Sequence, residues 1–405
     1  MRSRITKRLP PDAGRLVSLS LALFASRSRI EDRFWEAKID TLIEKVIRNG
    51  NQTALDAALE HLQKKHADAY TALADLAETH SESAYIEHND QLYNALLIAA
   101  PILTWTRYII PSGPLKKNIV DILHAQLQTH IFSVRARTAL APYLYSIDQL
   151  PRHHVETLQL TQKLSQAALS GGSIKLNLND SQETSPILAD PRFLISVVAV
   201  PAGEPLFRWQ EEMTSTRIER GFCLEQWRAQ CRVHLPGVLP GCEFDCLLPD
   251  AYYWACRHAD EQIRPYTIRS AVRYLGDAIV AKPDELRAIV AGFGEQGIDE
   301  YRISFTRRGS NDVIYGVVWP LYGRESDDLS LDSEVITIED PASSIFDKII
   351  RLLKEIGVAN IRRHAARFEQ EYCDDCGVPL YANPLGEIVH AEMPEDAEQT
   401  QPHFH

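Results

Sequence analysis

The sequence is short of the features that announce a chemistry. It carries no G-x-x-x-x-G-K-[ST], no H-E-x-x-H and no G-x-S-x-G, so P-loop, zincin and α/β-hydrolase readings all lack their signature. No stretch reaches the roughly 18 consecutive apolar residues that a membrane helix needs. Cysteine is sparse and odd in number, seven in 405 residues, whereas a secreted disulfide scaffold is denser. Reduced thiols and a cytoplasmic setting are therefore expected. A formal net charge of −12 argues against a surface built wholly for nucleic acid.

What is present is an ordinary globular composition, 45% hydrophobic and 24% charged, in a chain long enough for two or three domains. The charge is uneven. Arg2, Arg4, Lys7, Arg8, Arg15, Arg27 and Arg29 face Asp12 alone in the first 29 residues, a basic arm that would suit RNA, a ribosome or an acidic partner. The apolar run "LVSLSLALFA" (16–25) follows this basic start as a signal peptide would. Pro10, Pro11, Asp12 and Gly14 interrupt it, so a packed helix opened by Asp12 as N-cap is the better reading.

Residues 1–172 read as a helical domain. Ile39, Leu42, Ile43, Val46 and Ile47 make one apolar stripe; Leu55, Ala58, Leu59 and Leu62 make a second. Leu92, Leu96, Leu97 and Ala100 before Pro101 predict a third helix, and further stripes follow around Leu123 and Leu164. Residues 171–190 are rich in Ser, Asn, Asp and Gly, and 173–191 read as a linker or mobile loop. Residues 192–266 read as an α+β region that could be a second, incomplete ferredoxin-like unit, with strands at 193–200 and 242–248 and a helix at 251–263. Within 267–370 the pattern predicts a ferredoxin-like β-α-β-β-α-β unit. It has a strand at 268–275 and a helix from Pro283 through Leu286, Ile289, Val290 and Phe293. Strands follow at 300–306 and 313–319, an acidic loop at 324–340, an amphipathic helix from Ile345 to Ile356 and a strand at 361–368. "GFGEQG" (292–297) imitates a glycine-rich phosphate loop, but falls at the C-terminus of its expected helix, the wrong end for phosphate.

"EYCDDCGVPLY" (371–381) carries the strongest chemical signal. Two thiols three apart, followed by a glycine, supply half of a tetrahedral zinc site. Residues 371–393 then read as a β-hairpin turning at Asn383-Pro384-Leu385-Gly386, half of a zinc ribbon, with 394–405 an acidic, histidine-bearing disordered tail. His390 stands at a plausible return distance, so Cys373, Cys376 and His390 are the candidate ligands of one structural zinc. The fourth ligand is open among His364, an acidic residue and a second subunit; His403 and His405 lie further out. A redox role is disfavoured, because Gly377 and Pro379 oppose the helix such a pair opens, and Asp374 and Asp375 would raise the thiol pKa values. A metal-free reduced hairpin is the bland alternative.

Two other groups are weaker. Arg307 and Arg308 stand at a hairpin tip, where guanidinium forks suit phosphate. Asp250 and His258 accompany aromatics in "LLPDAYYWACRHADEQ" (247–262), but no nucleophile–base–orienter trio can be read from the spacing. A non-enzymatic interaction or regulatory protein, with a protein partner or self-association and no membrane, is the leading expectation. An enzyme acting on a phosphorylated or nucleotide ligand is the alternative, and RNA association through the basic arm the second alternative.

"RIEDRFWE", "APYLYSIDQLP", "VVAVPAGEPLFRWQ", "IDEYRISFTRRGS", "VIYGVVWPLYGRE" and "YCDDCGVPLYANPLGEIVHAEMPED" resemble a family of bacterial hypothetical proteins, mainly betaproteobacterial, classed as a domain of unknown function. The likeness runs over nearly the whole chain. It implies a bacterial, cytoplasmic protein and carries over no catalytic or binding residue.

Overall fold

The computed structural model describes residues 9–171, 187–211, 218–295, 297–321 and 344–394. The expected linker at 173–191 falls largely outside these, and the acidic loop 324–340, the tail from 395 with His403 and His405, and basic-arm residues 1–8 fall outside entirely.

Four helices open the chain: α1 (Pro11–Ala25), α2 (Arg29–Arg48), α3 (Gln52–Gln63) and α4 (Ala67–Glu82). They bury the stripes read from the sequence, with Leu16, Ile39, Ile43, Leu55 and Leu62 in one core. Asp12 is not the cap of α1. Pro10 holds that position without a side-chain bond, and Asp12 pairs from the first turn with Lys45 at 3.3 Å.

The helical reading then fails. Residues 83–105 are a β-hairpin, β1 (Ser83–His88) and β2 (Gln91–Trp105), joined by Asn89 and Asp90 at φ 51° and 58°. That is the mirror-image turn which matches strand twist. The chain continues through β3 (Gly113–Pro114), α5 (Lys117–His130), β4 (Arg137–Ser146), α6 (His154–Ser170), β5 (Ala189–Pro201), α7 (Arg220–His234), β6 (Glu243–Cys246) and β7 (Asp250–Ala251). These strands form one sheet in the order β1-β2-β5-β4-β3, with β6 and β7 also pairing β2. One face packs Leu97, Phe193, Ile195 and Val197 under α6; the other packs Ile98, Leu194 and Val198 under α5 and α7. Residues 1–172 are therefore not an all-helical domain. The stretch 92–100 reads as helical because a strand buried on both faces is apolar throughout and loses its alternation. Pro101 is tolerated in β2 because it stands in the gap between the residues paired with β7 and those paired with β6.

Helix α8 (Tyr252–Ala278) joins the two halves of the molecule. Its first part, with Ala255, Ala259 and Ile263, covers the first sheet; its second, with Ile268, Ala271, Val272 and Leu275, covers the second. The strand expected at 268–275 is thus helix. Pro265 inside α8 mimics an element boundary, although one missing N–H does not end a helix this firmly packed.

The second sheet contains β8 (Leu286–Phe293), β9 (Glu300–Arg307), β10 (Tyr315–Pro320) and, after α9 (Ile345–Glu355), β11 (Asn360–Phe368). Its order is β10-β9-β8-β11, with β11 parallel to β8 and the other pairs antiparallel. The predicted helix at 286–293 is strand, because both its faces are buried: Val290 against α8 and α9, Phe293 on the opposite side. Element order α8-β8-β9-β10-α9-β11 therefore replaces the expected β-α-β-β-α-β, while the mixed α+β class stands. "GFGEQG" begins at the end of a strand rather than of a helix, and no described helix starts beside it.

Candidate metal centre

The face of the second sheet away from α8 and α9 is covered by the C-terminal segment, residues 371–394. Arg302, in the middle of β9 and 1% exposed, is the anchor. Its Nε donates to Glu300 at 2.6 Å, and its Nη1 donates to the backbone carbonyls of Glu371 and Leu380. Its plane lies between the rings of Phe293 and Tyr372, 4.3 and 5.2 Å from their centroids. Ser304 donates to the carbonyl of Ala382 at 2.6 Å. Gly316 makes room for Tyr381, whose ring would lie 2.2 Å from any Cβ placed there. The short strands β12 (Tyr381–Ala382) and β13 (Ile388–Val389) pair across a turn closed by the buried Asn383. The Asn383 side chain accepts from the amides of Leu385 and Glu387. The N–H of His364 binds the Asn383 carbonyl at 2.8 Å, which commits His364 to the turn instead of the thiols.

This anchoring brings Cys373, Cys376 and His390 together, with one donor atom from each within 4.8 Å of the others. Cys376 Sγ and His390 Nε2 are 3.2 Å apart. Donors on a tetrahedral zinc at about 2.0–2.3 Å are separated by roughly 3.5 Å, so the three atoms need little movement to share one ion. The backbone between the thiols is a tight knuckle. The Gly377 amide donates to the Cys373 carbonyl at 2.8 Å, and the Cys373 amide to the Val378 carbonyl at 2.8 Å. Gly377 holds φ 71°, a conformation that residues with a Cβ avoid. Inside the knuckle the amides of Cys376 and Asp375 point at the Cys373 sulfur and lower its pKa. Asp375 pushes the Cys373 pKa up, as expected from the sequence, but the backbone donors outweigh it and the net direction is down. Amides that stabilise a thiolate suit a metal ligand. Glu392 approaches the other ring nitrogen of His390 at 3.7 Å, beyond a direct hydrogen bond.

The remaining candidates are dispersed. Arg307 ends β9 and the exposed Arg308 follows it, its amide held by the Glu285 carbonyl at 2.8 Å. Asp250 lies on the other sheet, at the start of α8, and accepts from Arg220 at 3.3 Å. His258 stands further along α8, stacked on Trp254. The other five cysteines are free thiols; Cys223, Cys231 and Cys246 fill the core under α5 and α7, where burial raises the pKa of Cys231.

One polar cluster was not foreseen. Where α4, α6 and α8 meet, His154 Nδ1 lies 3.1 Å from both Ser81 Oγ and Tyr253 Oη, and Tyr253 donates to Thr157 at 3.1 Å. Glu82 accepts from the Tyr253 amide at 3.0 Å, at the positive end of α8. Burial nevertheless pushes the Glu82 carboxyl up to about 7 and the His154 imidazole down to about 4. Ser81 is fully buried, so the cluster is a joint between elements and not an accessible nucleophile. Its members are far apart in sequence and share no motif. Arg302 was legible in principle, as a lone cation inside an apolar strand with Glu300 two residues away on the same face.

The whole-chain likeness is borne out: the chain belongs to DUF2863, a family of proteins of unknown function, whose profile matches residues 1–404. No curated protein and no solved structure matches it. No described helix is long and apolar enough to cross a membrane.

Proposed function

We propose that this chain is a non-enzymatic interaction or regulatory protein whose C-terminal hairpin is fixed by one structural zinc. The observation that carries the metal is the convergence of Cys373, Cys376 and His390 within 4.8 Å, on a knuckle whose amides favour thiolate. Two thiolates and an imidazole select zinc over hard cations such as magnesium or calcium. The fourth donor is water or a group from a second copy of the chain. The interaction half of the reading draws support from two large apolar side chains of the C-terminal segment, Tyr372 next to Cys373 and Leu385 in the hairpin turn, 52% and 64% exposed. A protein partner or self-association is the use they suggest.

Native mass spectrometry of zinc-loaded protein, beside a Cys373→Ser, Cys376→Ser variant, tests the metal and the assembly together. One zinc per chain, absent from the variant, is the expected result. One zinc per two chains would place the fourth donor on a second copy. Protein that holds no zinc after incubation with it would overturn the proposal.

A further inference from the structure

Strand β11 is unlike the other described strands. Asn360–Phe368 reads NIRRHAARF, with three arginines, one histidine and no acid, in a chain of net charge −12. It lies at the end of its sheet, and no described strand pairs with its outer side. Arg362, Arg363, Ala365, Ala366 and Arg367 are all exposed. Midway, β11 bulges away from β8: the four steps from Arg363 to Arg367 span only the two from Val290 to Gly292. The bulge opens a small pocket lined by Val290, Gly292, Tyr301, Phe346, Arg363 and Arg367. Arg363 stacks over Phe346 at 4.1 Å, and Arg367 donates to the Glu295 carbonyl at 2.9 Å. These contacts fix the two guanidiniums at the mouth of the pocket.

We propose that the outer edge of β11 takes an extended acidic peptide of a partner protein as a fifth strand, with one partner carboxylate seated between Arg363 and Arg367. An edge strand offers a row of N–H and C=O groups to an added strand, and side-chain pockets give such additions their specificity. Charges and bulges also serve to keep edges from pairing. A merely protective edge, however, has no use for an aromatic-walled pocket flanked by two arginines held in place by ring and carbonyl contacts. The single sign of charge selects an acidic partner. A peptide is favoured over nucleic acid because the aromatic at the pocket mouth, Phe346, is covered by Arg363 and so offers no open face for a base, which single-strand binders supply. The proposal rests on the interaction reading above but not on the metal, since the one zinc candidate on β11, His364, is bound to the Asn383 carbonyl.

The test uses the full-length, zinc-loaded chain and a fluorescein-labelled heptapeptide alternating glutamate and valine, read by polarisation. Saturable binding is expected, weakening several-fold between 50 and 300 mM salt. The same peptide N-methylated at alternate amides, which cannot pair as a strand, should bind at least ten-fold more weakly, and this comparison needs no protein variant. Arg363→Glu with Arg367→Glu should lose binding by at least ten-fold, while Arg308→Glu at the distant hairpin tip should not. Equal binding of the N-methylated peptide, no binding of either peptide, or tighter binding of an oligouridylate of matched charge overturns the proposal. Zinc stoichiometry measured on the same samples separates this failure from failure of the metal reading.

Discussion

The two sheets solve the same problem by different means. The first has helices on both faces and is sealed chiefly by apolar side chains, Phe193, Ile195, Val198 and Trp227 among them, with one buried ion pair, Arg192 with Asp190, in β5. The second has α8 and α9 on one face. On the other it has a C-terminal segment with little regular structure, held by Arg302, by Ser304 and by the fit of Tyr381 over Gly316. Only a small apolar group, Ala291, Phe293 and Ala382 with Phe368 and Ile388, lies beneath that cover. Apolar burial is non-directional and grows with area, whereas a buried cation works only when its partners are in place. The first sheet is thus a scaffold, and the second carries a cover that discrete contacts hold and their loss releases. The candidate metal centre and the exposed β11 edge both belong to the second.

Substitution in the scaffold should give the largest effect. Trp227→Ala empties a fully buried position and should cost about 4 kcal/mol in global denaturant unfolding. A cost below about 1 kcal/mol would mean that the first sheet is not the more stable half. Arg302→Met comes next. It leaves Glu300 buried without its partner and frees two carbonyls, a loss of about 3 kcal/mol by analogy with broken buried pairs. The loss should be local: hydrogen exchange should quicken across 371–389 while β2 and β5 stay protected. Uniform quickening would erase the distinction between core and cover.

The smallest effect probes the polar joint behind the scaffold. Glu82 keeps its proton in the folded state up to about pH 7, against an ordinary carboxyl value of 4.5. Its contribution is therefore present at low pH and is lost as pH rises from 4.5 through 7. Glu82→Gln should stabilise the protein by about 2 kcal/mol at pH 8, with the gain vanishing below pH 4.5. His154 has the opposite sign. Buried and neutral, it contributes fully above pH 6.5 and loses that contribution as pH falls toward 4. Thermal melts of wild type and Glu82→Gln across pH 4–8 check the Glu82 contribution; parallel curves would show that folding leaves the Glu82 pKa at its ordinary value.

How much was legible follows from how each segment is buried. Helices with one wet face declared themselves: α2, α3 and α9 bury the residues that their periodicity selects. Strands β9 and β10 and their hairpin were readable because turn residues bound them. The misread segments, 91–105 and 286–293, are buried on both faces, so nothing in them alternates. For 268–275, Pro265 interrupts the helical pattern although the helix continues through it. The Asn89-Asp90 pair, at positive φ, is the local signal in the first of these that marks a hairpin.

At the candidate site, the spacing of Cys373 and Cys376 and the glycine after them were determined by sequence alone, because a knuckle is a local structure made by neighbouring residues. The return of His390 could be proposed from distance along the chain. That the hairpin lies on a sheet, that Arg302 holds it there and that His364 is committed to Asn383 were decided only by the tertiary structure. So was the exposure of β11, whose arginines would read the same in any solvated strand. Local geometry follows from a few adjacent side chains, while burial and edge position depend on what the rest of the chain brings alongside.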